Sequence, residues 1–330
     1  MPKSKFLLAS ILLPAALAGQ LASAAGARVP QAPEAHYRAF DSKGRAVKLE
    51  EIIGALEQAD VLIVGETHND PVAHLLEAEL LRRADERYAQ GPARKRTVAL
   101  SLEMFERDVQ TVLDEYLAGL ISERHFLLSS RPWKNYETDY RPLVEYARER
   151  RLPVIAANAP ARYVSRVSTQ GPDSLKELSK EAKSWLPPLP FPPASADYAA
   201  KFNRFMQSAM SGPPPAQQPS AMTPGAQAQA NPHGSAHLLE AQALRDASMA
   251  DRIAEFLKQR RDALVIHVNG TFHSEEHMGV PEQIKHYRPK ARVIVVTIIS
   301  DDSFPNFDAA RLGPLGDFVI ITDPSIPRSS

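Results

Sequence analysis

Four stretches of the chain run from apolar, strand-like residues directly into acids, histidines or an asparagine. Val61 to Val64 leads into Gly65-Glu66-Thr67-His68, and Thr97 to Leu100 leads into Ser101-Leu102-Glu103. Pro153 to Ile155 leads into Ala156-Ala157-Asn158, and Ala263 to Ile266 leads into the run from His267 to His273. Segments with helical spacing separate them. Alternation of this kind predicts an α/β fold with a largely parallel sheet flanked by helices. In such a sheet the strands put their carboxyl ends along one edge, and ligands bind in the crevice outside it. One polar strand end means little. Four of them, carrying Glu66, His68, Glu103, Asn158 and His273, predict a single site assembled from distant parts of the chain.

The elements between follow from local signals. Tyr37 to Leu49 reads as two short strands around the turn Asp41-Ser-Lys-Gly44. Leu49, Ile52, Ile53 and Leu56 recur at helical spacing. Asn69-Asp70-Pro71 is a helix start, with a capping side chain before a first-turn proline. The helix it opens is expected to reach about Gln90 with Leu75, Leu76 and Leu80 inward. Further helices are expected around Val109 to Leu117, at Leu143 to Ala147, and over Ser235 to Gln259 with Leu239, Met249, Ile253, Phe256 and Leu257 in the core. Arg292 to Ile299 reads as a strand and Phe318 to Ile321 as a short edge strand.

Residues 187–235 break the pattern. The stretch from Leu186 to Ala236 holds eleven of the 28 prolines and is rich in Gln, Ala and Gly. Such composition buries too little apolar area to offset chain entropy, so a mobile insertion within one domain is expected, interrupted by a short helix over Tyr198 to Met210.

With 330 residues, 44% of them hydrophobic, the chain can build a large core. Its 39 basic and 39 acidic residues balance, giving no electrostatic reason to expect a nucleic-acid partner. Lys3 and Lys5, the apolar run Phe6 to Leu21 and the small residues Ala22-Ser23-Ala24 read as a secretory signal over residues 1–24. The run is too short and interrupted for a stable span, so the mature chain from residue 25 is expected to be exported, periplasmic or secreted. It contains no cysteine, which excludes a lipid anchor through cysteine, disulfides and thiolate–metal sites.

Imidazole and carboxylate together suit zinc, iron or manganese and also make proton-transfer pairs. Glu66, His68, Glu103 and His273 are therefore candidates to activate water in a hydrolase, with Glu66, His68 and His273 as candidate ligands of a divalent metal. The bland alternatives are a helix cap for Glu66, a loop position for His68, and for Glu103 a salt bridge to Arg141 or Arg162. Asn158 either orients a ligand or satisfies a turn. His74 either faces the crevice or is an ordinary helix-face histidine. Asp246 and Asp251 read as supporting or merely salt-bridged groups. The chain has no glycine-rich phosphate loop, dinucleotide fingerprint or G-x-S-x-G elbow.

The runs VLIVGETHNDPVAHLLEAELL, LSLEMFERDVQTVLDEYLAG, RPWKNYETDYRPLVEYARERRLPVIAANAPARYVSRV, LRDASMADRIAEFL and HVNGTFHSEEHMGVPEQI resemble the ChaN-like haem-binding family. That family shares a superfamily with Tiki proteases and erythromycin-esterase-like hydrolases. The resemblance implies an α/β fold in which Gly65-Glu66-Thr67-His68 and Glu103-Met104-Phe105 face a common cleft, with haem as cofactor and iron uptake or storage as the role. It also implies tyrosine as the iron ligand, because phenolate favours ferric iron. Tyr163 and Tyr198 are the candidates, with Asn158 and His74 lining the same cleft. Haem or another small molecule is the expected partner, with association into a homodimer left open.

Overall fold

A computed structural model describes residues 31–91, 96–211 and 236–329. The expected signal over residues 1–24 lies outside these, as do residues 212–235 of the expected insertion. The strands are β1 (Tyr37–Asp41), β2 (Ala46–Val47), β3 (Val61–Glu66), β4 (Val98–Glu106), β5 (Val154–Asn158), β6 (Leu264–Gly270), β7 (Val293–Ser300) and β8 (Phe318–Thr322). The helices up to β5 are α1 (Leu49–Ala55), α2 (Pro71–Ala84), α3 (Gln110–Leu117), α4 (Glu123–Ser130) and α5 (Arg141–Arg150). After it come α6 (Ala161–Gln170), α7 (Lys180–Ser184), α8 (Ala196–Ser211), α9 (Leu238–Gln259), α10 (Val280–Tyr287) and α11 (Ala309–Leu312). No helix among the described residues is long and apolar enough to cross a membrane.

All eight strands form one sheet in the order β2-β1-β8-β7-β3-β6-β4-β5. The pairings from β8 to β5 are parallel, and β1 joins β2 and β8 antiparallel. The four strands with polar ends thus lie side by side as β3, β6, β4 and β5. Their apolar runs are buried on both faces, as parallel strands between helical layers require. Leu62, Val64, Leu100, Leu102, Ile266 and Val268 join the core shared with α1, α2, α3 and α5. The alternate residues Val61, Ile63, Ala99, Ile155 and Val265 pack instead with Met249, Ile253 and Leu257 of α9 and Ile284 of α10.

Asp70 caps α2 by accepting hydrogen bonds from the Val72 and Ala73 N–H groups at 2.9 and 3.3 Å, and Pro71 occupies the first turn. The α-helix ends at Ala84, earlier than its apolar spacing predicts, and a wider π-turn continues over Asp85–Ala89. Leu76 and Leu80 are buried, whereas Leu75 is half-buried. Leu239 and Phe256 are likewise half-buried on α9.

Two expectations need correcting. Phe318 to Thr322 is an interior strand, because β1 folds back and pairs antiparallel along its whole length. The first part of residues 187–235 is packed rather than mobile. Leu189 and Phe191 lie against the cluster of Tyr163, Val164 and Leu186, and α8 seats Tyr198 and Phe202 against Phe272. Proline richness misled because these prolines are interleaved with leucine and phenylalanine, which supply the apolar area that the flanking residues lack.

The sheet ends at β5, whose outer edge is served by a side chain. Gln110 Oε1 accepts from the Ala156 N–H at 2.8 Å, and Gln110 Nε2 donates to the Val154 carbonyl at 2.9 Å. One amide thus substitutes for a neighbouring strand. Gln110→Ala is expected to lower unfolding free energy by about 1–2 kcal/mol, read from urea denaturation with an unchanged m-value. An unchanged midpoint would show that water serves this edge equally well.

Candidate functional site

Glu66 ends β3 with almost no exposure and is flanked on three sides. Its Oε1 accepts from the Tyr140 hydroxyl at 2.7 Å and faces His68 Nδ1 at 2.8 Å. Its Oε2 lies 3.1 Å from His74 Nδ1. Burial opposes charge on this carboxyl, but the His74 and His68 rings overcome it and hold its pKa below the usual value. Tyr140 is pushed well above its ordinary pKa by burial and by Glu66, so it remains a donor.

His74 is the centre of this half, although helical position alone made it ordinary. Its Nδ1 faces Glu66 and Glu77, the latter at 3.4 Å, and its Nε2 lies 3.2 Å from the His68 carbonyl and 3.3 Å from Asp139. Acceptors on both nitrogens suit an imidazolium. Burial works against that charge, yet Glu66 and Glu77 raise the ring well above its ordinary pKa. Glu77 is itself raised well above the carboxylate range, by burial and then by Glu66. Two buried carboxyls this close favour one ionised and one protonated member.

Glu103 anchors the other half. It sits where the β4–β5 register shifts between Leu102 and Glu106, an irregularity that redirects side chains. Its Oε2 accepts from the Gly270 N–H at 2.8 Å, and its Oε1 lies 3.4 Å from His273 Nε2. The arginine partners expected for it are engaged elsewhere, Arg141 with Glu123 and Arg162 with Asp108. His273 Nδ1 is 2.5 Å from Asp246 Oδ1, and Gln242 Nε2 lies 3.2 Å from the same nitrogen. Burial disfavours charge on His273, but Glu103 and Asp246 outweigh it and lift its pKa to about 10. Glu103 is correspondingly held far below the carboxylate range despite its burial.

Gly270 joins the halves. A Cβ there would stand 2.7 Å from His68 Nε2, so only glycine lets the ring lie against the end of β6. Gly65 works similarly. It lies within β3, and its Cβ would stand 2.8 Å from Ser274 Oγ, so close approach requires it. His68 is 5% exposed, meets Trp133 edge-on at 4.8 Å between centroids, and leaves Nε2 without a hydrogen-bond partner. Glu103 Oε1 also lacks one.

The remaining candidates divide. Asn158 is buried at the end of β5, with Oδ1 3.5 Å from Arg245 Nη1. Burial pushes the Arg245 pKa down against the pull of Glu103, Glu106 and Asp246. Tyr198 is buried beside Phe272, its hydroxyl 3.4 Å from Gln242 Nε2. Tyr163 starts α6 beyond β5, its ring 4.5 Å from the Arg162 guanidinium. The proposed metal ligands Glu66, His68 and His273 are not gathered around one point. Among the described residues the close three-ligand group is Glu66, His74 and Glu77, with ligand atoms within 4.8 Å of one another. His74, already flanked by acceptors on both nitrogens, holds the position of the cation there. Asp251 pairs with Arg107 at 2.9 Å on the buried side of α9.

Glu77, Asp139, Tyr140, Gln242 and Arg245 were not singled out by the sequence. Tyr140 and Asp139 arrive on a π-turn without a strand-end signal. The α9 group had a usable one: Gln242, Arg245 and Asp246 are polar residues at helical spacing inside a buried helix face.

Because His273 has its pKa raised from 6.5 to about 10 by folding, its contribution to stability is full below pH 6.5 and is lost as pH rises through 10. Unfolding free energy should fall by roughly 2–4 kcal/mol across that window in the native chain. His273→Gln should flatten the slope, as measured by denaturant titrations at stepped pH. An equal slope in both proteins would place the ring neutral.

Comparison with known proteins gives the frame for this cleft. A solved structure described as "Cofacial heme binding to ChaN of Campylobacter jejuni" superposes with TM-score 0.60 at 16% identity, covering 89% of this chain and 100% of the other. An erythromycin esterase, EreC, aligns with TM-score 0.45 at 15% identity over 88% of this chain and 84% of its own. In sequence, the chloroplastic protein RETICULATA-RELATED 5 of Arabidopsis thaliana is 24% identical over 276 residues, 80% of this chain. The chain spans only 34% of that relative's length. The family model described as "Haem-binding uptake, Tiki superfamily, ChaN" matches residues 52–284, which include every cleft residue named above. The chain belongs to the ChaN haem-binding uptake family of the Tiki superfamily.

Proposed function

We propose that this chain is an exported haem-binding protein, periplasmic or secreted after loss of residues 1–24, that serves iron uptake or storage. The observation that carries the reading is the family match over residues 52–284, the segment that builds the four-strand cleft. Ferric haem bound to a phenolate needs a tyrosine near a cation and near the surface. Tyr163 meets both conditions, being 9% exposed with Arg162 against its ring. Tyr198 meets only the first, with Lys201 Nζ 5.7 Å from its ring centroid. It is 1% exposed, and burial, then Asp246, pushes its hydroxyl well above the ordinary pKa. Tyr163 is accordingly the iron-facing residue, and Tyr198 a packing residue that closes the cleft over Gln242 and Phe272. Bound haem would supply a ferric centre, while the chain orients it and shields it from water.

Haem titration of the mature chain, followed by visible absorbance, should saturate near one haem per chain. Tyr163→Phe should shift the ligand-sensitive bands and weaken binding at least about tenfold, whereas Tyr198→Phe should leave the bands in place. Absence of saturable binding would defeat the reading, and unchanged bands in Tyr163→Phe would remove Tyr163 from it.

One observation favours a second reading, hydrolysis. His68 Nε2 and Glu103 Oε1 are buried polar atoms without a hydrogen-bond partner on either side of Gly270, the second facing His273 Nε2 at 3.4 Å. With Nδ1–H donating to Glu66, the Nε2 lone pair is free to accept a proton from water, and the Glu103 and His273 pair would steady the reacting group. If the chain hydrolyses an ester or amide, His68→Ala and Glu66→Gln should each cut turnover by about 10²–10⁴-fold. Equal turnover in all three proteins would end this reading.

A further inference from the structure

Three buried arginines can be compared within this fold. Arg96 is held by the carbonyls of Leu56, Ala59, Asp262 and Ala263 at 2.6–3.2 Å. Arg107 is paired with Asp251 at 2.9 Å. Arg245 is as buried as either, at 5% exposure, yet among the described residues its one side-chain hydrogen bond is the 3.5 Å contact to Asn158 Oδ1 and it forms no ion pair. A guanidinium carries a fan of N–H donors shaped for two parallel bonds to an oxyanion, so leaving it buried and under-bonded is costly.

The acids that act on it are committed elsewhere. Glu103 turns one oxygen to the Gly270 N–H and the other toward His273. Asp246 is on His273, and Glu106 is 2.9 Å from Arg131. His273 offsets one of the Glu103 and Asp246 charges and Arg245 balances the other at a distance, but among the described residues no carboxylate bonds its guanidinium directly. Its position is fixed from both sides. It lies on α9 between Gln242 and Asp246, which hold His273, and it reaches the carboxyl end of β5 at Asn158. With its oxygen turned to the guanidinium, Asn158 has its NH₂ group left as a further donor.

We propose that Arg245 and Asn158 form an oxyanion subsite in the cleft, which receives a carboxylate of the bound ligand beside the His273–Glu103 pair. Arg245 binds it through two N–H groups and the Asn158 amide adds a third bond. The carboxylate has two sources, a side chain of haem itself or a separate small carboxylate. Only the first rests on the haem reading.

The test compares iron protoporphyrin IX with its dimethyl ester, which lacks the charges, and separately measures thermal unfolding of the haem-free chain against acetate. Both arms use the native chain, Arg245→Gln and Arg245→Lys. If haem provides the carboxylate, the native chain binds haem at least about tenfold tighter than the ester, and Arg245→Gln binds both at the ester's level. Arg245→Lys should fall between, because it keeps the charge without the fork. If no porphyrin binds but acetate raises the unfolding temperature of the native chain saturably and not that of Arg245→Gln, the haem reading fails and the subsite stands for a small carboxylate. Haem and ester bound equally or not at all, with acetate acting alike on native and substituted chains, overturns the subsite. The ester comparison in the native chain and the lysine variant hold if Arg245→Gln does not fold.

Discussion

The cleft depends on the absence of a side chain at Gly270. The parallel register sets Gly270 opposite Glu66, so the ends of β6 and β3 are level and the loop carrying His68 passes directly over β6. The same glycine gives its N–H to Glu103, which fixes the carboxylate on the neighbouring strand. One backbone unit therefore sets the distance between the Glu66 and Glu103 halves. Any Cβ would push His68 outward and separate groups whose usefulness lies in their proximity.

Charge pairing, with Glu77 favoured as the protonated member of its pair, explains how so many acids can be buried here. Glu66, Glu77 and Asp139 surround His74, and Glu103 and Asp246 surround His273. In each group an imidazole pinned by carboxylates supplies the cation, and weak screening inside the protein strengthens both attractions. His68 stands between the groups with one nitrogen tied to Glu66 and the other free. Glu66 on one side and the Trp133 ring on the other hold its imidazole in place, which suits contact with a ligand.

Much of this was legible in the sequence because parallel strands carry their signal in continuous apolar runs. Glu66, His68, Glu103, Asn158 and His273 stand at or just beyond such runs, and the sheet order makes them neighbours. The residues that complete the site arrive by routes without a local signature. His74 and Glu77 share a helix whose turn faces inward only because α2 packs across the sheet. Tyr140 comes from a π-turn, and Gln242, Arg245 and Asp246 lie inside a helix read chiefly for its apolar stripe. The proline-rich segment before α8 shows the opposite failure, since composition was averaged over a window in which Leu189 and Phe191 decide the packing.

The edges of the sheet determine how copies of the chain can meet. At one side β2 is two residues long, too short to template another strand. At the other, Gln110 already answers the outward N–H of Ala156 and carbonyl of Val154, so an incoming strand would first have to evict it. Among the described residues, both ends of this sheet therefore disfavour edge-to-edge pairing of crowded copies.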